Sequence, residues 1–241
     1  MVSLLIIEII YFLSILSLIF KCIIILFLID LIIKMGYNMI HTATKFGGII
    51  LCGRFYINND IISLIKRINS DSEFSLEISA GDIFPSQKAW VITKDNNSFG
   101  AKEIKWGFKN GSNGLIINVR SETVFQKKMF CNAIEKRRCV IPSSGFYEWS
   151  IIKEKYKFFR KDDEVLYMAG IYDTDDNGER FAVLTTEANA FVLDIHGRMP
   201  LILEKSQVRK WLNENDEYKE ILEQTPVELN REPDFEQLKL F

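Results

Sequence analysis

The first fifty residues differ sharply in composition from the rest of this 241-residue chain. Residues 1–51 carry only five charged side chains: Glu8, Lys21, Asp30, Lys34 and Lys45. Residues 52–241 hold the other 27 basic and 30 acidic residues, which predicts a separate, slightly acidic globular domain. Because this balance gives no general attraction to nucleic acid, any phosphate binding must be local.

The N-terminal stretch fits neither a membrane span nor a signal peptide well. A span from Ile9 to Ile29 is long enough only if Lys21 lies near the bilayer centre. It has no basic n-region and no clear cleavage site. Fifteen of the first fifty residues are isoleucine, as in translated AT-rich intergenic DNA. We expect translation to begin at codon 51, after a ribosome-binding sequence read here as Gly47-Gly48. A membrane anchor and a cleaved leader are the alternatives.

The patterns after residue 51 predict one mixed α+β domain in which strands outnumber helices. Helices are predicted from Asn59 or Asp60 to Ile68 and over Glu204–Leu212. Asp175 to Gly178 is a strong hairpin turn. Strands are predicted at 52–57, 89–93, 103–108, 115–119, 138–141, 146–150, 156–160, 165–172 and 180–185.

Four short segments bring together a thiol, an amide, a carboxylate and an imidazole. They are Cys52-Gly53-Arg54-Phe55, Asn118-Val119-Arg120-Ser121-Glu122-Thr123, Ser144-Gly145-Phe146-Tyr147-Glu148-Trp149 and Asp194-Ile195-His196-Gly197-Arg198-Met199-Pro200. The candidate catalytic residues are therefore Cys52, Asn118, Glu148 and His196.

Cys52 is either a small packed residue or a nucleophile. An N-terminal cysteine carries an amine with a pKa near 8 next to its thiol, and the pair can convert an aldehyde into an imine and then a thiazolidine ring. Cys22, Cys52, Cys131 and Cys139 show no paired spacing, which indicates free thiols in a reducing cytoplasm. We expect no metal site, no nucleotide-binding loop and no cofactor.

The other three candidates each have a structural alternative. His196 is the only histidine after residue 51 and lies in a polar stretch typical of a loop, although a lone histidine is more often structural. Glu148 lies between aromatic residues, where desolvation would raise its pKa, unless it is simply the outward residue of a strand. Asn118 ends an apolar strand and could orient a substrate.

Cations and aromatic residues accompany these candidates. Arg54, Arg120 and Arg198 each lie two residues from one of them, as phosphate contacts flanking an aldehyde would. Trp106, Phe146 and Trp149 could stack on bases or pack in the core. The run Lys136-Arg137-Arg138 is more typical of a solvated face.

The four segments, in this order, resemble the SRAP family, the SOS-response-associated peptidases or abasic-site processing proteins. The resemblance covers residue 52 to about residue 212. It implies a β-rich, barrel-like α+β domain with flanking helices that covalently captures abasic sites in single-stranded DNA. In that family the cysteine is residue one of the mature protein.

Carried over from the family, Cys52 forms the thiazolidine, and Asn118 positions the amine and sugar. Glu148 serves as general acid and base, and His196 assists ring opening. The resemblance places these residues at the DNA: Arg54, Pro85, Arg120, Lys128, Trp149 and Arg198.

Some positions depart from the family pattern. Gly197 stands where Asp is common, Lys128 replaces an arginine of some members, and Gly81-Asp82-Ile83 replaces a different sequence before Pro85. The extension before Cys52 blocks its amine unless translation starts later or the protein cleaves itself after Leu51.

The resulting expectation is a monomeric cytoplasmic, nucleoid-associated DNA-damage protein that acts on abasic sites in single-stranded DNA. One rival is a membrane-anchored cysteine peptidase using Cys52 and His196. The other is a non-catalytic DNA-binding module in which Cys52 is merely packed.

Overall fold

The structure is a computed structural model, and it describes residues 52–69, 77–95, 98–111, 114–161, 164–213 and 216–234. The predictions made for residues 1–51 lie outside the described residues. Among the helices that are described, none is long and apolar enough to cross a membrane.

Helices are few and short compared with the strands. The α-helices are α1 (Asn59–Ile68), α2 (Lys128–Lys136), α3 (Val208–Leu212) and α4 (Tyr218–Leu222), and 3-10 turns cover Ser121–Gln126 and Lys205–Gln207. The strands are β1 (Phe55–Ile57), β2 (Gly81–Ile83), β3 (Lys88–Asp95), β4 (Ser98–Trp106), β5 (Phe108–Asn110), β6 (Gly114–Ile116), β7 (Asn118–Arg120), β8 (Arg138–Ser143), β9 (Gly145–Trp149), β10 (Lys155–Phe159), β11 (Leu166–Asp175), β12 (Gly178–Glu187), β13 (Arg198–Pro200), β14 (Ile202–Leu203) and β15 (Asn230–Pro233).

Helix α1 forms where the sequence predicts it. The Asn58 side chain accepts hydrogen bonds from the backbone N–H groups of Asp60 and Ile61, both at 3.1 Å, so the cap lies one residue earlier than expected. Ile61 and Ile65 face the core, one turn apart. This helix packs against the sheet that carries β4.

Two sheets build the body of the domain. The five-stranded sheet has the order β15-β10-β9-β1-β2, with β1 paired antiparallel to both β2 and β9. The larger sheet has the order β13-β12-β4-β3-β8-β11-β14, and β7 joins it by parallel pairing with β12. Strands β5 and β6 form a separate ribbon. The predicted hairpin turn joins β11 to β12.

One apolar cluster joins the two sheets. Cys52, Phe146 and Phe158 contribute from the five-stranded side, and Trp106 and Phe181 contribute from the larger sheet. A second cluster lies between the larger sheet and the helices α2, α3 and α4. The β-rich, barrel-like α+β class predicted for the domain is confirmed.

Two expectations about the chain after residue 121 are wrong in detail. Glu204–Leu212 is not one helix but a 3-10 turn followed by the short helix α3. Arg138 is not on a solvated face: it is buried, and its guanidinium donates to the carbonyls of Ile134, Glu135, Trp211 and Asn213 while it lies over the Tyr218 ring. Arg138 is therefore a structural link between β8 and the C-terminal helices.

Candidate functional site

Cys52 and Glu148 meet in the interior of the domain. The backbone nitrogen of Cys52 donates to Oε1 of Glu148 at 2.7 Å, although the two residues are 96 positions apart. Both residues are fully buried. The contact arises because β1 pairs with β9, so the segment before β1 runs beside the end of β9 that carries Glu148.

Glu148 is a carboxyl group held in an apolar surrounding. Burial raises its pKa from 4.5 to about 8, against the opposing effect of the hydrogen bond from Cys52. Its second oxygen, Oε2, is buried and has no hydrogen-bond partner among the described residues. At neutral pH this group is mostly protonated, so it can give a proton and take it back.

Cys52 has a protonated thiol and an unusual backbone conformation. Burial, followed by the charge of Glu148, raises the pKa of the thiol well above its ordinary value. Its φ is +37°, a left-handed conformation that costs a non-glycine residue about 1–3 kcal/mol. Such strain is often found at functional sites.

Arg54 lies in a cage of aromatic rings next to this pair. Its guanidinium carbon is 4.5 Å from the ring centre of Phe84, 5.4 Å from Trp149 and 5.7 Å from Tyr147. Arg54 also pairs with Asp82 at 3.4 Å, and the Tyr147 hydroxyl donates to the same carboxylate at 3.2 Å. The cage holds a cation beside Cys52.

A second group of candidates gathers at the end of β12. Strand β7 pairs along it, with Asn118 opposite Val183 and Arg120 opposite Thr185. Strand β13 also pairs with this end, and there Arg198 lies opposite Glu187. Asn118 is half-buried and Arg120 is exposed.

His196 belongs to this second group. It is 8% exposed, and its Nδ1 lies 3.1 Å from both the backbone nitrogen and the carbonyl oxygen of Arg198. Burial lowers its pKa, so the ring is neutral at pH 7. The residues beside it, Ile195 and Met199, pack in the same apolar cluster as Cys52. Both groups of candidates therefore border one core.

Arg198 is held by Glu122 through two parallel hydrogen bonds. Its Nη1 donates to Oε1 at 2.7 Å and its Nη2 to Oε2 at 2.9 Å. Nη2 also donates to the carbonyl of Thr185 at 2.7 Å. Burial pulls the pKa of Glu122 upward, but the hydrogen bonds from Arg198 keep it below its ordinary value.

Trp106 is not available for stacking on bases, contrary to the expectation for it. It is fully buried, its indole N–H donates to the carbonyl of Ile117 at 3.0 Å, and its ring packs against Phe55 and Phe181. The indole pairs its only polar atom inside the protein, which is the usual arrangement of a core tryptophan.

The other expected DNA contacts lie nearer the surface. Trp149 is partly exposed and lines a cleft of about 350 Å³ with Lys155 and Tyr156. Pro85 is partly exposed and follows Phe84 of the aromatic cage, and Lys128 is exposed at the start of α2. Trp149 and Pro85 thus accompany Cys52, whereas Lys128 lies on the β7 side.

Sequence reasoning missed Asp82, Thr185 and Glu122 as partners of the site. Glu122 had a signal, since it lies two residues after Arg120 inside a candidate segment. Asp82 and Thr185 had none, because only strand pairing brings them to Arg54 and Arg198.

Comparison with known proteins agrees with these residues. The profile of the SOS response associated peptidase (SRAP) family matches residues 51–236. The chain belongs to the SRAP family. One similar curated protein is the abasic site processing protein YoaM of Bacillus subtilis, which is 30% identical over 68% of this chain and 79% of that protein. Another is the abasic site processing protein YedK of Escherichia coli, which is 26% identical over 72% of this chain and 84% of that protein.

Solved structures support the SRAP fold. A protein from Bacteroides thetaiotaomicron has a TM-score of 0.62 and 25% identity, covering 77% of this chain and 93% of that one. A phage-related protein from Bordetella bronchiseptica has a TM-score of 0.63 and 22% identity, covering 76% and 94%. Across the part of this SRAP chain that is described, no three His, Cys, Asp or Glu residues cluster as metal ligands.

Proposed function

We propose that this protein processes abasic sites in single-stranded DNA by forming a covalent thiazolidine between Cys52 and the ring-opened sugar. The observation that carries the proposal is the 2.7 Å hydrogen bond between the Cys52 nitrogen and the buried carboxyl of Glu148. It puts a proton donor and acceptor on the atom that must attack the aldehyde. The names of the curated relatives, which refer to abasic sites, support the choice of substrate.

The chemistry balances with one water released and no oxidant. The neutral amine of Cys52 adds to the aldehyde carbon, giving a carbinolamine. Glu148 protonates the hydroxyl, which leaves as water, and an iminium ion remains. Sγ of Cys52 then adds to the iminium carbon, and the thiol proton returns to the Glu148 carboxylate. Burial raises the pKa of the Glu148 carboxyl above its ordinary value, so this group can both give and take a proton near neutral pH.

The high pKa of the thiol suits this order of events. A neutral thiol does not compete with the amine for the aldehyde, because the thiolate is the nucleophilic form. Once Glu148 has given up its proton, its carboxylate is the base that accepts the thiol proton. The sequence of steps is thus set by one carboxyl group.

The proposal requires a free amine at Cys52, through a start at codon 51 or through cleavage after Leu51. The backbone of Cys52 supports this requirement. Its φ of +37° is a torsion about the bond to the peptide nitrogen, and the strain comes from the preceding carbonyl group. A chain that begins at Cys52 has no φ at that residue, so this strain is absent from it.

In this proposal the remaining candidates bind and orient the DNA. Arg54 and Arg120 contact phosphates on either side of the sugar, and Trp149 stacks in the groove. Asn118 orients the sugar, and the neutral His196 ring donates a hydrogen bond to the ring oxygen as the sugar opens. The proton released by the anomeric hydroxyl ends on that oxygen, so the step balances without a change in the charge of the imidazole. The protein acts in the cytoplasm on DNA and works as a monomer.

A cysteine peptidase using Cys52 and His196 is less consistent with the geometry. Such an enzyme needs a thiolate stabilised by a neighbouring imidazole. Here Glu148 contacts Cys52, burial keeps the thiol neutral, and Nδ1 of His196 is engaged by Arg198. Self-cleavage after Leu51 stays a route to the free amine.

An intact-mass measurement tests the proposal. Protein expressed from its own gene with the upstream DNA is mixed with single-stranded DNA that carries one abasic site. We expect a species equal to the chain beginning at Cys52 plus the oligonucleotide, less one water. A full-length chain that binds the DNA but forms no adduct would refute covalent capture.

Two matched variants assign the adduct to its residue. Cys52→Ser removes the thiol and should eliminate the stable adduct. Cys131→Ser removes a half-exposed thiol outside the site and should leave the adduct unchanged. Acetylation of the Cys52 amine separates the rivals, because a thiol peptidase tolerates it and thiazolidine formation does not.

A further inference from the structure

The neighbouring backbone determines which nitrogen of His196 carries the proton. Nδ1 lies 3.1 Å from both the N–H and the carbonyl oxygen of Arg198, so it could accept from one or donate to the other. These two arrangements correspond to the two neutral tautomers of the ring.

The register of β12 and β13 favours one of them. Leu201 N–H donates to Leu184 and Ala188 N–H donates to Gly197, so the pair formed by Glu187 and Arg198 is a non-hydrogen-bonded pair of the ladder. The N–H and carbonyl of Arg198 both point away from β12. A buried N–H without a partner is rarer than an unsatisfied carbonyl. The N–H of Arg198 therefore donates to Nδ1, which leaves the proton on Nε2.

The position of that N–H depends on how residue 198 is held. The preceding residue, Gly197, has open space where a side chain would begin, and its carbonyl accepts from the Ala188 N–H. At residue 198, where the N–H and carbonyl make no bond to β12, the side chain supplies the hold through two bonds to Glu122 and one to Thr185. The Arg198 side chain is only 14% exposed, and Glu122 lies on the turn that follows β7.

We propose that Glu122 is a positioning residue: it holds Arg198 so that the Arg198 N–H keeps His196 as the Nε2–H tautomer. This inference rests on the proposed function for its purpose, since an Nε2–H can donate to the sugar ring oxygen as the ring opens. Glu122 itself touches no reacting atom. It acts through Arg198 across the end of β12.

The tautomer can be measured without DNA. The full chain is labelled with 15N-histidine in a His41→Gln background, so that His196 is the only histidine, and the two ring nitrogens are distinguished by their shifts. We expect one protonated nitrogen, Nε2, in the parent. In Glu122→Gln the shifts should move toward an average of the two tautomers. A parent with the proton on Nδ1, or a Glu122→Gln spectrum equal to the parent, would overturn the proposal.

Three further variants separate positioning from general damage. Glu187→Gln alters an exposed carboxylate at the end of β12 and should leave the spectrum unchanged. Arg198→Lys keeps the charge but not the paired hydrogen bonds, and should behave like Glu122→Gln. Gly197→Ala added to Glu122→Gln should restore part of the Nε2–H signal, because alanine fits and stiffens the chain there.

Kinetics then tests the purpose of the tautomer. Glu122→Gln should slow adduct formation about tenfold while DNA affinity changes less than about twofold, because assistance of a proton transfer by a positioned side chain contributes about 10²–10⁴ and only part of it is lost. A fall in affinity with an unchanged tautomer would show that Glu122 serves DNA binding instead. If the parent forms no adduct at all, the proposed function fails, and the spectra still decide whether Glu122 sets the tautomer.

Discussion

Replacing Glu148 with glutamine removes the charge from a buried carboxyl while keeping its shape and its Oε1 acceptor. The folded state holds a proton on Glu148 up to a pKa of about 8, whereas the unfolded chain releases it near 4.5. Between these values the folded state binds more protons, so the free energy of unfolding of the parent falls as pH rises. Glutamine has no such dependence.

The size of the effect follows from the two pKa values. One pKa unit corresponds to about 1.36 kcal/mol. The raised pKa of Glu148 therefore lowers the free energy of unfolding by less than about 1 kcal/mol at pH 5 and by roughly 3 kcal/mol at pH 7. The stability difference between Glu148→Gln and the parent should therefore shift in favour of the variant by roughly 2–3 kcal/mol over this range. At the same time the variant should form no adduct.

Urea unfolding followed by tryptophan fluorescence at pH 5, 6, 7 and 8 measures this difference. Glu77→Gln, at an exposed carboxylate, is the matched control and should show no trend. A flat difference for Glu148→Gln would refute a neutral buried carboxyl. The trend applies to chains in which Cys52 is in peptide linkage. A free ammonium at Cys52 would lower the pKa of Glu148 and flatten the trend, and acetylation of that amine would restore it.

Two further pairs of substitutions test the buried arginine and the roles of the two tryptophans. Arg138→Ala leaves buried carbonyls without donors, and it should lower the free energy of unfolding by at least about 3 kcal/mol, or the melting temperature by roughly 10 °C. Its control, Arg137→Ala, removes a partly exposed side chain and should cost less than about 1 kcal/mol of stability. Equal effects of the two substitutions in calorimetry would contradict the buried link. Trp149→Ala should weaken single-stranded DNA binding several-fold, as measured by fluorescence anisotropy. Trp106→Phe should lower stability and leave that affinity unchanged. Loss of affinity in the folded Trp106→Phe variant would show that the ring reaches DNA.

Local patterns in the sequence predicted the elements whose stability is mainly local. Helix α1 has its cap and its apolar spacing within ten residues, and the turn after β11 consists of Asp175 to Gly178. Helix α2 was missed although Phe130, Ala133 and Ile134 follow the helical spacing, because lysines and arginines at both ends make the segment resemble a polar loop.

Long-range pairing decided the features that the sequence could not predict. Trp106 and Trp149 both neighbour charged residues in the sequence, and only the packing of Trp106 between Phe55 and Phe181 identifies it as a core residue. Arg138 follows two cations, and its burial depends on carbonyls more than 70 residues away. Glu148 could be proposed as a buried acid, but its partner could not be derived from composition or spacing.

The burial of Cys52 has a consequence for survival in a stressed cell. Peroxides and alkylating agents attack the thiolate, and they attack exposed thiols first. Cys52 is buried and its thiol stays protonated, whereas Cys131 is half-exposed. Oxidants that damage DNA should therefore consume Cys131 before they reach Cys52, so the thiol that the proposed chemistry requires outlasts the more exposed one.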